Sequence, residues 1–181
     1  MYLKTTQLEY MEIIINTQLK LRAWKTEDKQ QLQRIANNQH VAKYLRERFP
    51  SPYTMNDAER WITLNEMGLD ETHFCIEYDG MAAGSIGIDI QLDVHKQTAE
   101  LGYWLGEDFW NKGIITECIK AVTPYFINKF ELKRIFATTF SENVTSSKAL
   151  EKAGFKLEGI LKKHAFKNGI DYDGNMYAYT V

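Results

Sequence analysis

The stretch AELGYWLGEDFWNKGIITE, residues 99–117, decides how this chain folds. It reads as a strand, a sharp loop carrying Gly113, and the start of a helix. The apolar residues of that helix, Ile115, Ile119, Val122, Phe126 and Phe130, recur at steps of four, three, four and four, the period of one buried helix face. The next apolar run, Arg134-Ile-Phe-Ala-Thr-Thr139, reads as a second strand. Strand, loop, helix and strand over about forty residues make a βαβ unit with parallel strands and a right-handed crossover. The first turn of such a helix carries free backbone N–H groups and the positive end of a dipole, a natural seat for a phosphate or pyrophosphate. Neither GxGxxG nor GxxxxGK[ST] occurs here, so the usual dinucleotide and triphosphate cradles are missing.

Downstream of the second strand stands Asn143-Val-Thr-Ser146-Ser-Lys-Ala-Leu150-Glu-Lys152-Ala-Gly154-Phe155, followed by the pair Glu158-Gly159. Together the two blocks resemble the GNAT superfamily of acetyl-CoA-dependent N-acetyltransferases, and within it the branch that acetylates the N-terminal amines of ribosomal proteins. That branch is marked by a Gly-Tyr-Trp-Leu strand, a Trp-x-x-Gly-x-x-Thr-Glu loop, and an Asn-x-x-Ser helix ending in Glu-Lys-x-Gly-Phe. The resemblance covers residues 19–181, and it implies one N-acetyltransferase domain over residues 1–181.

The resemblance also implies a chemistry. The parallel strands of the βαβ unit would splay and bind the pantetheine arm of acetyl-CoA as an added strand, through backbone groups of Tyr103, Trp104 and Leu105. The Trp104 N–H would donate to the thioester oxyanion. Asn111, Lys112, Gly113, Ile114, Ile115 and Thr116 would wrap the pyrophosphate. Trp110 and Ile115 depart from the wider superfamily pattern, and the bulk of Ile115 narrows the approach to the phosphates. Asn143 would bond the pantetheine or a water, and Lys148 and Lys152 would reach the CoA phosphates. Ser146 would protonate or stabilise the departing thiolate, since no tyrosine stands between residues 143 and 161 to act as the acid. Asn143 and Ser146 also read as plain helix caps. Glu100, four residues before Trp104, is the base candidate, and burial or a water relay would have to adapt it. An α-amine of pKa ~8 costs only ~1 kcal/mol to deprotonate at neutral pH, whereas a lysine amine of pKa ~10.4 costs ~4 kcal/mol.

The expected acceptor is therefore a protein N-terminal α-amine, as in ribosomal-protein acetylation, attacking the thioester directly. Two other readings stand: a small-molecule amine acceptor (polyamine, amino sugar or amino acid), or a non-catalytic acyl-CoA-binding or interaction module. The acceptor cleft would be walled by residues 44–53, with Arg46, Glu47 and Arg48 in contact, and by the region of Asp171 and Asp173.

Composition narrows the field. The chain has 181 residues and a net charge of −2, which gives no polyanion-binding surface and no expectation of nucleic-acid binding. Cys75 and Cys118 stand apart, as buried reduced thiols would, and His40, His73, His95 and His164 lack metal-ligand spacing, so no metal is expected. No apolar run approaches the ~18 residues of a membrane span, and the polar first ten residues lack a signal-peptide pattern, so a cytoplasmic location is expected. A homodimer is one expectation for the assembly. Ala83-Gly84-Ser85-Ile86-Gly87 imitates a nucleophile elbow but lies inside a strand.

Outside the motif region, residues 11–15 and 19–24 read as an opening strand. Thr26 reads as the cap of a helix to Asn37, and residues 41–44 as a short helix. Thr54 or Asn56 would cap a helix to Met67, ended by Gly68. Residues 73–78 and 81–90 form a hairpin about Asp79-Gly80. Pro124 predicts a kink or an early end of its helix. Residues 155–161 read as a strand, 162–169 as a basic connector, and 171–181 as the closing strand. The fold class is α+β: a mixed, mostly antiparallel central sheet with one parallel βαβ unit and helices on both faces.

Overall fold

The computed structural model describes residues 12–66 and 72–181. The elements run β1 (Ile13–Ile14), β2 (Leu19–Arg22), α1 (Lys29–Ala36), α2 (Gln39–Ala42), α3 (Met55–Glu66), β3 (His73–Tyr78), β4 (Met81–Ile90), β5 (Thr98–Leu105), α4 (Ile114–Lys129), β6 (Arg134–Phe140), α5 (Val144–Lys152), β7 (Lys156–Lys167) and β8 (Ile170–Thr180). Among the described residues eight strands form one sheet in the order β1-β2-β3-β4-β5-β6-β8-β7. Among the described residues only β5 and β6 pair in parallel, joined by α4 as the βαβ pattern requires.

Each face of the sheet carries its own core. On β3, Phe74 and Ile76 enter the cluster that holds Ile119, Val122, Phe126 and Leu150 of α4 and α5. The intervening Cys75 enters the other cluster, with Leu32, Ala58 and Ile62 of α1 and α3. A period of two has sorted the side chains between faces. Arg22 is buried between β2 and the turn before α1, where it bonds both carboxylate oxygens of Asp28 (2.6 and 2.8 Å), the carbonyl of Ala23 (2.9 Å) and Glu77. Its charge is fully paired, which the cost of burying an ion demands.

Several local expectations change. Thr26 does not cap a helix; residues 26–28 form a 3₁₀ turn, and the Asp28 carboxylate accepts the Lys25 N–H at 2.9 Å. The short helix is Gln39–Ala42, set by Asn38, whose side chain accepts the N–H groups of His40 and Val41. Thr54 caps α3 as a reciprocal pair with Asp57: the Asp57 N–H reaches Thr54 Oγ1 at 3.2 Å, and the Thr54 N–H reaches Asp57 Oδ2 at 2.8 Å. The expected helix end at Met67 and Gly68, and Met11 of the opening strand, lie outside the described residues. Helix α4 does not end at Pro124, and Thr123 Oγ1 bonds the Ile119 carbonyl at 2.7 Å one turn back. Its buried face begins at Ile114 and Cys118, which leaves Ile115 half-buried.

The largest correction concerns residues 162–169. They are strand rather than connector: β7 runs to Lys167 and returns as β8 through Asn168 and Gly169, both at positive φ (51° and 79°). Asn-Gly is the residue pair that a two-residue hairpin of this hand favours. A register shift between Leu161 and Ala165, with Lys163 at φ 49°, absorbs the irregularity.

Candidate active site

The parallel pair β5–β6 is made at only three positions, Thr98↔Arg134, Ala99↔Ile135 and Glu100↔Phe136. Beyond them β5 continues to Leu105 and β6 to Phe140, but the two are not paired with each other among the described residues. β6 keeps its other edge on β8 as far as Phe140↔Gly174. A wedge therefore opens inside the sheet, and the backbone groups along it need a partner.

The register of β4 against β5 says which groups face the wedge. The Gln91 N–H bonds Thr98 O at 2.8 Å, and the Gly106 N–H bonds Ala83 O at 2.9 Å. Facing residues of an antiparallel ladder alternate between bonded and non-bonded pairs. Glu100, Gly102 and Trp104 therefore turn their N–H groups to β4, opposite Asp89, Gly87 and Ser85, while Leu101, Tyr103 and Leu105 turn theirs to the wedge. The oxyanion donor expected at Trp104 is corrected on this ground: its N–H is directed at Ser85, and the N–H groups of Tyr103 and Leu105 face the opening instead. The Leu105 carbonyl already accepts the Trp110 indole N–H at 2.9 Å, which folds the loop back on the strand end.

The same alternation gives the wedge two sides. Leu101, Tyr103 and Leu105 point to the α4–α5 side, whereas Glu100 and Trp104 point to the side of α1 and α3. On that second side Trp104 meets Phe49 edge to face at 5.4 Å.

Below the wedge, Gly113 precedes α4 at φ 75°, a backbone that glycine adopts without cost, and Asn111 is at φ 60°. The first helical bond is made by the Glu117 N–H, to Gly113 O at 3.2 Å. The N–H groups of Ile114, Ile115 and Thr116 thus lie ahead of the helix's own bonding. A Cβ on Gly113 would meet nothing within 4 Å, so the turn faces open space. The Lys112 ammonium does not extend into that space. It lies over the rings of Phe109 and Tyr78, 5.5 and 5.6 Å from their centroids.

Across the wedge, Asn143 is the N-cap of α5, its side chain accepting the Ser146 N–H at 3.2 Å. The cap reading of Asn143 is thus realised. Ser146 itself is not a capping side chain: its hydroxyl meets the Tyr103 hydroxyl at 2.8 Å. Sequence reasoning missed this contact, although period two on β5 places Tyr103 on the α5 side. Lys148 and Lys152 are exposed on the rim of the opening.

Glu100 is not buried in isolation, as a carboxylate adapted to act as a base would be. It is ion-paired to Arg46 of the segment between α2 and α3, and its neighbour Asp89 on β4 faces Arg48 at 3.5 Å and His73 Nε2 at 3.9 Å. Bonding to Glu100 raises the Arg46 pKa above its usual value despite some desolvation. The wall at 44–53 is present through Tyr44, Arg46, Arg48, Phe49 and Tyr53, while Asp171 and Asp173 do not line the opening. They pair with Lys163 (3.2 Å) and Lys162 (2.8 Å) on the hairpin. Phe140 takes that side, its ring tilted against those of Tyr44 (6.0 Å) and Tyr172 (5.0 Å).

The strand, turn and helix-start groups share one cleft of about 1460 Å³. Its lining includes Glu100, Tyr103, Trp104, Leu105, the turn 111–116, Asn143, Ser146 and Lys152. No cluster able to hold a metal occurs among the described residues. Ser85 is buried within β4 and donates to the Phe74 carbonyl at 3.2 Å, not at the strand-to-helix turn that a nucleophile elbow needs. Cys75 and Cys118 are buried free thiols, and burial pushes the Cys118 thiol up to about 12.

A sheet split beside a helix N-terminus, with hydroxyls on one side and a carboxylate on the other, is an arrangement able to seat an extended, phosphate-bearing ligand. The family description "Acetyltransferase (GNAT) domain" matches residues 18–156, and the chain belongs to this family. The probable N-acetyltransferase YjcK of Bacillus subtilis is 34% identical over 131 residues, 70% of this chain and 72% of that protein. The ribosomal-protein-serine acetyltransferase of Escherichia coli is 37% identical over 85 residues, 47% of this chain and 48% of that one. The chain spans about half the length of that relative, and likewise 53% of the uncharacterized N-acetyltransferase YoaA of B. subtilis. In fold it is similar to RimL, a ribosomal L7/L12 α-N-protein acetyltransferase solved with coenzyme A (TM-score 0.83, 22% identity, 94% of this chain and 98% of that one).

Proposed function

We propose that this protein transfers the acetyl group of acetyl-CoA to a primary α-amine, that of a protein N-terminus. The observation that carries the proposal is the wedge between β5 and β6 above the Gly113 turn. Its unpaired backbone suits an extended amide-bearing arm, and its helix start suits a pyrophosphate. Backbone groups of Tyr103 and Leu105 would hold the arm, and the N–H groups of Ile114, Ile115 and Thr116 the pyrophosphate. Lys152 would meet the outer phosphate. Either wedge-facing N–H could stabilise the oxyanion as the amine adds to the thioester carbon.

Glu100 decides between amines. It is ion-paired to Arg46 at the edge of the cleft. It can attract an ammonium and pass one proton to water, a demand of ~1 kcal/mol for an α-amine against ~4 for a lysine amine. The ribosomal-protein enzymes among the relatives support the same acceptor class.

The test is release of CoA thiol from acetyl-CoA in the presence of N-terminal peptides, lysine peptides and small amines. Turnover with N-terminal peptides, reduced in Glu100→Gln, is expected. Turnover confined to small amines would replace the acceptor, and acetyl-CoA binding without turnover on any amine would indicate a binding module.

A further inference from the structure

Tyr103 comes from the middle of β5 and Ser146 from the first turn of α5, and their hydroxyl oxygens meet at 2.8 Å. Two hydroxyls in one contact divide the roles of donor and acceptor. The phenol is the more acidic hydroxyl and the better donor, and desolvation holds its proton more firmly by pushing it above the usual tyrosine range. Its alternative acceptor, the Ser146 carbonyl, is at 3.4 Å, too long to compete. With Tyr103 donating, one lone pair of Ser146 Oγ is taken and the serine's single hydrogen is free to point elsewhere. A serine in a helix otherwise tends to donate back to the carbonyl of the preceding turn.

We infer that Tyr103 is a positioning residue for acetyl transfer: by donating to Ser146 Oγ it turns the serine O–H into the β5–β6 wedge, toward the departing sulfur. The inference rests on the proposed acetyl transfer and on the thiolate-facing role that the family resemblance implies for Ser146, which lines the same cleft. In the step itself the amine nitrogen bonds to the acetyl carbon and the C–S bond breaks, its electron pair going to sulfur. Ser146 donates a hydrogen bond to the thiolate and keeps its proton, because an alkoxide would be a far stronger base than the thiolate it relieved. The amine's proton leaves to water, and the thiolate regains one from water.

The test is a double-mutant cycle on the full chain with Tyr103→Phe, Ser146→Ala and the pair, reading kcat and KM separately. Tyr103→Phe should lower kcat about tenfold, the scale of one hydrogen bond to a charged group, with KM for acetyl-CoA within about twofold. The double variant should fall no further than Ser146→Ala alone. Unchanged kcat in Tyr103→Phe with a loss in Ser146→Ala overturns this inference and spares the role of Ser146. Unchanged kcat in Ser146→Ala overturns both. Additive losses also overturn it, since they place Tyr103 outside the serine's path. Should Tyr103→Phe not fold, a multiply fluorinated tyrosine at 103 keeps ring and hydroxyl. Its lower pKa should bring an alkaline fall of kcat into range, absent from Ser146→Ala bearing the same residue; no such fall overturns the inference.

Discussion

Gly102 sits mid-strand on β5, between Glu100 and Trp104 and opposite Gly87, where a side chain would help the strand. It is exposed, lines the cleft, and a Cβ there would meet nothing within 4 Å. Glycine in a strand costs roughly 0.5–1 kcal/mol relative to alanine and often marks close approach of a ligand. On the proposed reading, the bare patch would leave a lane over the sheet to the thioester. Gly102→Leu should therefore fold at least as stably by thermal melting, bind acetyl-CoA unchanged, and raise KM for the acceptor at least tenfold. A lowered melting temperature with normal KM would refute the lane. Glu100→Gln should lower kcat/KM by about tenfold at pH 7, less than the roughly 10²–10⁴-fold usual for a general base, because an α-amine asks for little deprotonation. The position of Glu100 was legible from its spacing to Trp104, but its partner was not, because Arg46 is 54 residues away and nothing local joins them. The Trp104 N–H shows a subtler limit: the residue was right for the strand end, and only the ladder phase against β4 reveals which way its backbone points.

At the scale of elements, α4 was legible because a single apolar stripe has one way to be buried, and Pro124 near its middle does not outweigh that packing. The β7–β8 hairpin was obscured by its own lysines. Lys162, Lys163 and Lys167 made a basic segment look like a connector, although Asn168-Gly169 carried the turn signal. Those lysines have partners: Lys162 and Lys163 on β8 aspartates, and Lys167 on the carbonyls of Ala42 (2.7 Å), Lys43 (3.2 Å) and Leu45 (2.6 Å) at the end of α2. Lys167 thus ties the hairpin tip to the segment that presents Arg46 to Glu100. Lys167→Met should speed amide hydrogen exchange in residues 42–48 and weaken acceptor selectivity while leaving exchange in α4 unchanged. Gly169→Ala should lower stability by about 1 kcal/mol in urea titration, the cost of placing a Cβ at φ 79°.

For the whole molecule, pH sets two limits. Burial pushes Cys118 up to about 12 and raises Cys75, Tyr53 and Tyr103 above their ordinary ranges. The unfolded chain ionises its cysteines near ~8.5 and its tyrosines near ~10, so stability present below ~8.5 declines as pH rises. On the acid side, burial works against the charge of Glu77, but Arg22 and Lys20 hold its pKa below the usual value, and the stability this lends above ~4.3 is lost as pH falls. Melting temperature should be flat between these limits, and Cys75→Ala with Cys118→Ala should move the alkaline onset up toward ~10; an unmoved onset would assign that limb to other groups. The mixed sheet and the placement of both motifs on one cleft were legible because they follow from connectivity; the ion pairs that shape the acceptor side were not, because they join distant segments. The three-rung pairing of β5 with β6 has one more consequence. On the proposed reading, a sheet whose gap takes the carrier's arm would grip what substrate and product have in common, and such uniform binding does nothing for the chemical step. Spent CoA would then compete with acetyl-CoA on nearly equal terms, and turnover in a cell would follow the ratio of acetylated to free carrier rather than the amount of either.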